Sequence, residues 1–428
     1  MASSGAELHP AQPVRRISLS YNNADSQTSA LRLILTLFPD WEHDGGKVDF
    51  VRFTDGITNT LLKASVKRPD CSDIENDKEA VLLRAYGQGT AVLIDRDREF
   101  TSHSLLSRHG LAPPLLARFQ NGLLYRFIRG QACKSSDLTQ EPIWRGVARR
   151  LGQWHAVLPV VGDGNESAVQ EGDSGGMTLL APRDADLSGK EEELQRKIRG
   201  ITPQKPNPNI WTVTQKWILA LPNKTEAEKT RQATLQKELE RLVTELGDIP
   251  GLGEQGLVFA HCDLLSGNVI VEPKADQGSA TDGVKEVSFI DYEYATPSPA
   301  AFDVANHFAE WGGLECDYTA MPSKIQRRGF LKEYVSSYTS HSKKPPADEE
   351  ATVDRLFNEV DLFRGVPGFY WGIWALIQAT ISQIDFDYAA YAERRLGEYW
   401  AWKGEVDGTR VKEHKDLPLR ERQWARDE

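Results

Sequence analysis

The chain has 428 residues, with 51 lysines and arginines, 62 aspartates and glutamates, and a formal net charge of −11 at pH 7. This length exceeds what one simple core accommodates, so we expect two lobes or two domains. The acidic balance makes nucleic acid a poor candidate partner, because phosphate backbones attract basic surfaces.

The polar segment at residues 1–29 has no apolar period and is predicted to be a disordered tail. Strand signals then crowd residues 30–130, which we predict to form an N-terminal lobe. In chain order, the apolar runs and turn residues predict a helix over 31–38, two strands within 48–67, a strand over 79–86, a helix over 98–109, and strands over 115–119 and 123–128.

The first strand pair encloses a turn with the sequence DGITN at residues 55–59. Its glycine, Gly56, lets the backbone approach a phosphate, while Thr58 and Asn59 can donate hydrogen bonds to phosphate oxygens. Downstream, Arg84 on a strand could reach the same phosphates, and Glu99 on the next helix could pair with it. Taken alone, such a turn is more often an ordinary hairpin, and an arginine at a strand end is usually a surface residue.

Helical patterns dominate residues 131–428, which we predict to form a larger C-terminal lobe. A segment rich in glycine, aspartate and serine, residues 160–189, is predicted to be a flexible insertion. The remaining signals predict a helix over 143–158, a helix that begins at a Thr225–Glu228 capping box and ends at Leu246, strands over 257–260, 269–271 and 287–290, and helices over 352–365 and 369–384 separated by Pro367-Gly368.

Three polar residues flank the predicted strands of this second region. Asp263 and Asn268 lie in the loop between the first two strands, and Asp291 directly follows the third. An aspartate, an asparagine five residues later and a second aspartate behind an apolar run form the polar skeleton of a kinase phosphoryl-transfer site. The first aspartate accepts the proton of the attacking hydroxyl in such sites.

Asn268 and Asp291 are the candidate ligands for Mg²⁺ in this pattern. Mg²⁺ needs few protein ligands, because phosphates and water supply the rest of its coordination. The alternative is a polar hairpin whose Asp263 and Asn268 cap turns. Asp291 directly follows a predicted strand of its own, and this position favours the metal site over the polar hairpin.

Together these stretches resemble the choline/ethanolamine kinase family over about residues 48–402. The resemblance implies a two-lobed protein-kinase-like fold of the α+β class, a small β-rich N-lobe over a larger, mainly helical C-lobe. The stretches that carry it are HCDLLSGN at 261–268, IDYEY at 290–294, AFDVANHFAEW at 301–311 and FYWGIWALIQA at 369–379.

Within the family, three stretches are most similar to ethanolamine kinases: DGITN at 55–59, DLL at 263–265 and IDFDY at 384–388. One position departs from the family pattern, since Cys262 stands where asparagine is common. We expect this cysteine to be buried and inert.

The resemblance implies ATP as co-substrate and Mg²⁺ as cofactor, with ethanolamine as the phosphoryl acceptor and phosphoethanolamine as the product. It makes Asp263, Asn268 and Asp291 catalytic. The implied nucleotide-binding residues are Gly56, Ile57, Thr58, Asn59, Arg84, Phe127 and Ile128. The implied residues around the substrate amine are Tyr294, Glu310, Tyr318, Trp371, Trp374 and Tyr391.

Two alternatives stay open at the level of sequence. The acceptor could be choline, alone or beside ethanolamine, because aromatic faces host quaternary ammonium groups and carboxylates host primary ones. The second alternative is a non-catalytic, nucleotide-binding relative of these kinases. The presence of Asp263, Asn268 and Asp291 argues against it. By helical spacing alone, Trp371 and Trp374 would also fit core packing.

The cysteines and the hydropathy of the chain indicate the compartment in which the protein is found. Four scattered cysteines without paired spacing indicate free thiols in a reducing compartment. No apolar stretch is long enough to span a bilayer, and the N-terminus lacks the features of a signal peptide. We therefore expect a cytoplasmic protein. The sequence leaves its oligomeric state open.

Overall fold

The computed structural model describes residues 14–42, 47–53, 59–68, 71–87, 90–160, 189–201, 204–273, 282–382 and 384–428. The first part of the chain forms a six-stranded sheet with the order β1-β5-β6-β4-β3-β2, in which β1 runs parallel to β5 and the other neighbours are antiparallel. Its strands are β1 Arg15–Ile17, β2 Lys47–Phe53, β3 Asn59–Lys67, β4 Val81–Tyr86, β5 Leu115–Phe119 and β6 Gly122–Arg126.

Three helices accompany this sheet: α1 Ser26–Leu37, α2 Asp73–Lys78 and α3 Arg96–Arg108. One face of α1 buries Leu33 and Ile34 against Leu62, Leu83 and other sheet residues in a core of its own. This burial of an apolar helix stripe on a half-buried sheet explains why the region folds as predicted from its strand and helix patterns.

The prediction of a disordered tail over residues 1–29 is wrong for residues 14–29. These residues supply β1, a 3-10 turn and the start of α1. Ile17 is buried against the sheet, and Asn121 exchanges side-chain hydrogen bonds with the backbone of Tyr21. Contacts about a hundred residues apart therefore order a segment whose local sequence has no apolar period. Residues 1–13 lie outside the described part of the chain.

The remainder is mainly helical, with two small sheets. A three-stranded sheet has the order β10-β9-β7, and a two-stranded one pairs β8 with β11. The strands are β7 Gln131–Ala132, β8 Val258–Ala260, β9 Val269–Val271, β10 Val287–Phe289 and β11 Thr296–Ser298. The helices are α4 Ser135–Leu138, α5 Glu141–Val157, α6 Gly189–Ile201, α7 Ile210–Leu219, α8 Glu226–Leu246, α9 Ala300–Ala309, α10 Lys324–His341, α11 Glu349–Phe363, α12 Val366–Ile381, α13 Tyr388–Val406, α14 Thr409–Lys412 and α15 Leu419–Ala425.

The predicted capping box is confirmed, since Thr225 and Glu228 exchange hydrogen bonds at the start of α8. The predicted break at Pro367-Gly368 is wrong. Helix α12 already begins at Val366, with Pro367 in its first turn, where the missing N–H of proline has no helical partner to lose. A Cβ on Gly368 would lie 2.6 Å from the Arg395 carbonyl oxygen, so this glycine lets α12 and α13 pack closely.

Within the ranges given above, no helix combines the length and apolar character needed to cross a bilayer. Two predictions fall on residues outside those ranges, the turn residues 54–58 and the insertion over 161–188. A lobe boundary at residue 130 stays a prediction.

Candidate active site

The loop after β8 carries Asp263 and is held by a buried carboxylate of α9. Asp303 accepts hydrogen bonds from the backbone N–H groups of His261 and Cys262, at 2.9 and 2.8 Å. His155 Nε2, from α5, lies 3.0 Å from the same carboxylate. Burial alone would raise the pKa of Asp303, but the hydrogen bond from His155 and its other polar contacts hold it below the usual value.

Two further side chains of α9 bind backbone oxygens of this loop. Asn306 Nδ2 donates to the carbonyl of Cys262 at 3.0 Å. Because Trp311 donates to Nε2 of His307, that imidazole donates from Nδ1 to the carbonyl of Leu264, at 2.8 Å. Asp303, Asn306 and His307 follow helical i, i+3, i+4 spacing and so share one face of α9. The sequence analysis did not predict these three anchors of the loop. The signal for them is the spacing of three polar residues along one face of an otherwise apolar helix.

Asp263 and Asn268 meet directly. Asn268 Nδ2 donates to the Asp263 carbonyl at 2.8 Å and to its carboxylate at 3.2 Å, which directs the amide oxygen away from Asp263. Burial raises the pKa of Asp263 well above its usual value, and the nearby charges of Asp291, Glu310 and Glu293 raise it further. These acids therefore lie close enough to repel one another.

Asp291 reaches the same place from β10. In the antiparallel β9–β10 pair, Ile290 N–H donates to the Asn268 carbonyl at 3.0 Å, which places Asp291 beside the loop. Its backbone has a φ of 65°, and its carboxylate contacts Arg84 at 2.6 Å. Burial raises the pKa of Asp291 to about 6, although Arg84 opposes that rise.

The donor set suits a hard cation, since it offers the Asn268 amide oxygen and the Asp291 carboxylate in a cluster with excess negative charge. Among the residues that the structure describes, no three His, Cys, Asp or Glu side chains are grouped so as to hold a metal by themselves. A cation here would therefore take one or two protein ligands, which is the usual arrangement for Mg²⁺ bound with phosphates.

Arg84 is buried in β4 and contacts three acids. Its Nη2 lies 2.6 Å from Asp291 and 2.5 Å from Glu293, and its Nε lies 3.3 Å from Glu99. The predicted Arg84–Glu99 pair thus exists as an ion pair, although Nε makes no hydrogen bond. Glu293 was missed as a site residue although it lies two residues after Asp291 in the same motif.

The predicted phosphate turn is only partly visible. Gly56, Ile57 and Thr58 lie outside the described residues, whereas Asn59 is the first residue of β3. Its Nδ2 donates to Glu293 at 3.1 Å, across the gap between the large sheet and the Asp291 segment. The end of the turn therefore adjoins the acid cluster, which Glu99, Asp291 and Glu293 form around Arg84.

Phe127 and Ile128 follow β6 and lead into the helical part. Phe127 N–H donates to the Ala80 carbonyl at 2.9 Å, so this group is already engaged within the sheet. Adenine binding at Phe127 and Ile128 stays a prediction, and the N–H of Phe127 is not free to take part in it. Ile128 lines a cavity of about 860 Å³ whose described lining residues include none of the acids above.

Trp371 and Trp374 share one face of α12 and are both buried. Their rings meet edge to face at 5.5 Å between centroids. Trp374 Nε1 donates to the Tyr294 hydroxyl at 2.8 Å, and Trp371 Nε1 donates to Asn306 Oδ1 at 2.8 Å. Since Asn306 also binds the Cys262 carbonyl, Trp371 is joined to the loop that carries Asp263, while all three aromatic residues also belong to the main hydrophobic core. Their part in an amine site stays a prediction.

Glu310 directly follows α9 and contacts a cation that sequence reasoning missed. Arg395 Nη2, from α13, lies 3.1 Å from its carboxylate. Burial raises the pKa of Glu310, while Arg395 opposes that rise. The same guanidinium lies 5.8 Å from the ring centroid of Tyr391. Tyr318 is linked to this group through Glu398, to which its hydroxyl donates at 3.0 Å and which lies 3.5 Å from Arg395 Nε.

Cys262 has a φ of 64°, a left-handed conformation that asparagine tolerates better than most residues. An asparagine, which the resemblance leads one to expect here, would suit this backbone conformation. The thiol is buried as expected, 3.4 Å from the Ser298 hydroxyl, and burial raises its pKa.

We expect Cys262→Asn to raise the melting temperature, because it relieves backbone strain of roughly 1 kcal/mol. Thermal unfolding followed by circular dichroism measures this. Cys71→Asn, at a half-buried cysteine not in the left-handed region, serves as the control. A lower melting temperature for Cys262→Asn would mean that thiol packing outweighs the strain.

The chain is similar to known proteins over most of its length. Residues 50–400 match the family model described as choline/ethanolamine kinase. A probable ethanolamine kinase of Arabidopsis thaliana is 31% identical over 374 residues, 86% of this chain and 83% of the relative. Human ethanolamine kinase 1 is 31% identical over 390 residues, 90% of this chain and 73% of the relative.

Solved structures share the fold. A Plasmodium vivax ethanolamine kinase superposes with a TM-score of 0.59 at 23% identity, covering 88% of this chain and 89% of the other. A choline kinase of Cryptosporidium parvum superposes with a TM-score of 0.55 at 19% identity, covering 89% and 97%. The predicted two-lobed, protein-kinase-like fold with a small β-rich part and a larger helical part is confirmed.

Proposed function

Because the chain belongs to the choline/ethanolamine kinase family, we propose that it transfers the γ-phosphoryl group of ATP to the hydroxyl of ethanolamine, forming phosphoethanolamine. This is the first step of the CDP-ethanolamine route to phosphatidylethanolamine. The observation that carries the proposal is the convergence of Asp263, Asn268 and Asp291 at one place in the fold, in a chain that matches ethanolamine kinases over most of its length.

Asp263 is the general base in this proposal. Its carboxylate accepts the hydroxyl proton as the oxygen attacks the γ-phosphorus. The three anchors from α9 fix the backbone around it, so little reorganisation is needed when substrate binds. Asn268 holds the carboxylate from the other side of the loop.

Mg²⁺ would be held by Asn268 through its amide oxygen and by Asp291 through its carboxylate. When bound, the ion supplies positive charge against the transferring phosphoryl group. Arg84 adds a guanidinium at the same end of the site, where it pairs with Asp291. The mutual repulsion that raises the pKa of Asp263 favours a cation here.

The nucleotide phosphates would lie against the turn that contains Gly56, Ile57 and Thr58, with Asn59 at its end and Arg84 beyond. Adenine would meet the segment at Phe127 and Ile128. Since the N–H of Phe127 is engaged, we expect its carbonyl and the Ile128 backbone to make the polar contacts. We propose residues 14–130 as the N-lobe, because β1 and the start of α1 belong to its sheet and core, and residues 131–428 as the C-lobe. The two lobes would enclose this cleft.

The amine would lie against the aromatic group formed by Tyr294, Trp371 and Trp374, whose rings supply cation–π contacts. Glu310 and Tyr391 would border the amine beside Arg395, with Tyr318 further out. A primary ammonium also needs acceptors, and the acids around Asp263 provide them. The named relatives and the three branch-like stretches support ethanolamine. The aromatic walls keep choline as the second candidate.

Initial rates on ethanolamine and on choline, measured side by side with ATP and Mg²⁺, test the proposal. We expect kcat/KM to be higher for ethanolamine. A higher value for choline would establish the second candidate. Binding of MgATP without phosphoryl transfer to either alcohol would identify a non-catalytic relative.

The cytoplasm is our proposed location. The four cysteines carry free thiols, as expected in a reducing compartment. Fractionation of cells that express the full chain would test this.

A further inference from the structure

Arg96, the first residue of α3, lies against the acid cluster without being part of any motif discussed above. Its Nη1 lies 2.8 Å from Glu99 and 3.1 Å from Glu293. Its Nη2 contacts the Thr90 hydroxyl at 2.5 Å, and the guanidinium lies 4.2 Å from the ring centroid of Tyr86. The side chain is only 15% exposed, so these contacts are largely screened from water.

Arg84 and Arg96 share the same two buried acids. Glu99 faces Arg84 with one oxygen and Arg96 with the other, and Glu293 Oε2 contacts both guanidinium groups. Asp291 contacts Arg84 from the metal side. Both guanidinium groups therefore contact the same two buried carboxylates, and Arg84 contacts Asp291 in addition.

Asn59 joins this group to the end of the phosphate turn. Its amide nitrogen donates to Glu293 at 3.1 Å, and its oxygen lies 3.5 Å from Arg96 Nη2. The planar fork of an arginine can hold several acceptors in fixed directions, which a single ammonium cannot do. Arg96 thus connects α3, β3 and the Asp291 segment through one side chain.

We propose that Arg96 is a positioning residue for the nucleotide phosphates, which keeps Arg84 directed at Asp291 by neutralising Glu99 and Glu293 and by fixing Asn59. The inference rests on the proposed function. Without Arg96, Glu99 and Glu293 would each lose a cation that contacts them, and their stronger pull on Arg84 would draw it from Asp291. Loss of Arg96 would then weaken nucleotide binding and leave the aromatic amine site intact.

The test is Arg96→Met, with Arg118→Met as the matched control. Arg118, on β5, likewise pairs with an acid, Asp97 at 2.7 Å, and lies over an aromatic ring, Phe100 at 5.3 Å, but within the described residues it does not touch Glu99 or Glu293. We expect Arg96→Met to raise the KM for MgATP roughly tenfold to a hundredfold, as for loss of charge-assisted hydrogen bonds. The KM for ethanolamine should change less than about twofold, and Arg118→Met should leave both near wild type.

Arg96→Lys is the second variant, because it keeps the charge and loses the fork. We expect its KM for MgATP to lie between those of wild type and Arg96→Met. Calorimetric titration with MgADP should rank the three proteins in the same order, and it needs no acceptor alcohol. This readout therefore tests Arg96 even if wild type phosphorylates neither ethanolamine nor choline, a result that would defeat the proposed function alone.

Two results would overturn the inference. One is an Arg96→Met protein whose KM for MgATP matches that of Arg118→Met. The other is an equal rise in the KM for ATP and for ethanolamine, which would indicate general loosening of the fold. If Arg96→Met does not fold, Arg96→Lys decides, because unaltered MgADP affinity in that variant would mean that the fork has no positioning role.

Discussion

Asp263→Asn is expected to lower kcat by roughly a thousand-fold or more, with a far smaller change in the KM for MgATP. Asparagine keeps the size of the side chain and an oxygen that can accept from Asn268, so the loop should stay in place. It cannot take a proton from the attacking hydroxyl. A coupled assay for ADP release measures the loss, and Asp348→Asn, at a helix cap where asparagine also caps, is the control.

The same variant should be more stable than wild type when no nucleotide is bound. Burial and the charges of Asp291, Glu310 and Glu293 raise the pKa of Asp263, so its ionised form destabilises the folded state as the pH rises above the usual carboxylate range. Asparagine removes that cost, and we expect a higher melting temperature at pH 7 than for wild type. Turnover within tenfold of wild type would remove Asp263 from the mechanism, whatever the melting temperature.

Much of this site could be predicted because its parts are close in sequence. Asp263 and Asn268 are five residues apart in one loop, and Asp291 follows the strand that pairs with β9. Short continuous apolar runs predict each of these strands from the local sequence. The position of each polar residue at a strand end therefore follows from the pattern. The prediction that these residues meet is supported by the direct hydrogen bond between Asn268 and Asp263 and by the bond from Ile290, next to Asp291, to the Asn268 carbonyl. Their chemical roles stay proposals.

The partners that neutralise the site could not be found in this way. Glu310 meets Arg395 across 85 residues, and Arg96 meets Glu293 across 197. Such pairs depend on how helices pack, and a single sequence offers no periodic signal for them. Order in residues 14–29 was missed for the same reason, because it depends on pairing with β5 and Asn121.

Asp303→Asn is expected to reduce both stability and turnover, although Asp303 is placed to contact no substrate. Asparagine can accept with one oxygen, whereas the carboxylate accepts from His261 and Cys262 with two. One buried N–H would lose its acceptor, and His155 would lose a charged partner, at a cost of about 1–3 kcal/mol for each group. Against a total stability of roughly 5–15 kcal/mol, this should lower the melting temperature by several degrees.

The turnover loss should exceed what unfolding explains, because the loop that Asp303 holds carries Asp263. We expect kcat to fall at least about tenfold at a temperature where the variant remains folded. Glu238→Gln is the control, since Glu238 is a buried acid that pairs with Arg241 and accepts from Tyr399, away from the loop. It should lose stability and keep its kcat.

The pH dependence adds a check on the charge of Asp303. Because its folded-state pKa is lowered, its stabilising effect is fully present above the unfolded value of 3.8 and is lost only as the pH falls through the folded value. His155 and His261 face this carboxylate, so the comparison belongs above the range in which free imidazoles titrate, at about 6.5. The difference in unfolding free energy between wild type and Asp303→Asn, from urea titrations, should therefore be constant between about pH 7.5 and pH 9. A difference that shrinks within this range, or a kcat equal to that of Glu238→Gln, would mean that Asp303 does not anchor the catalytic loop as an ionised carboxylate.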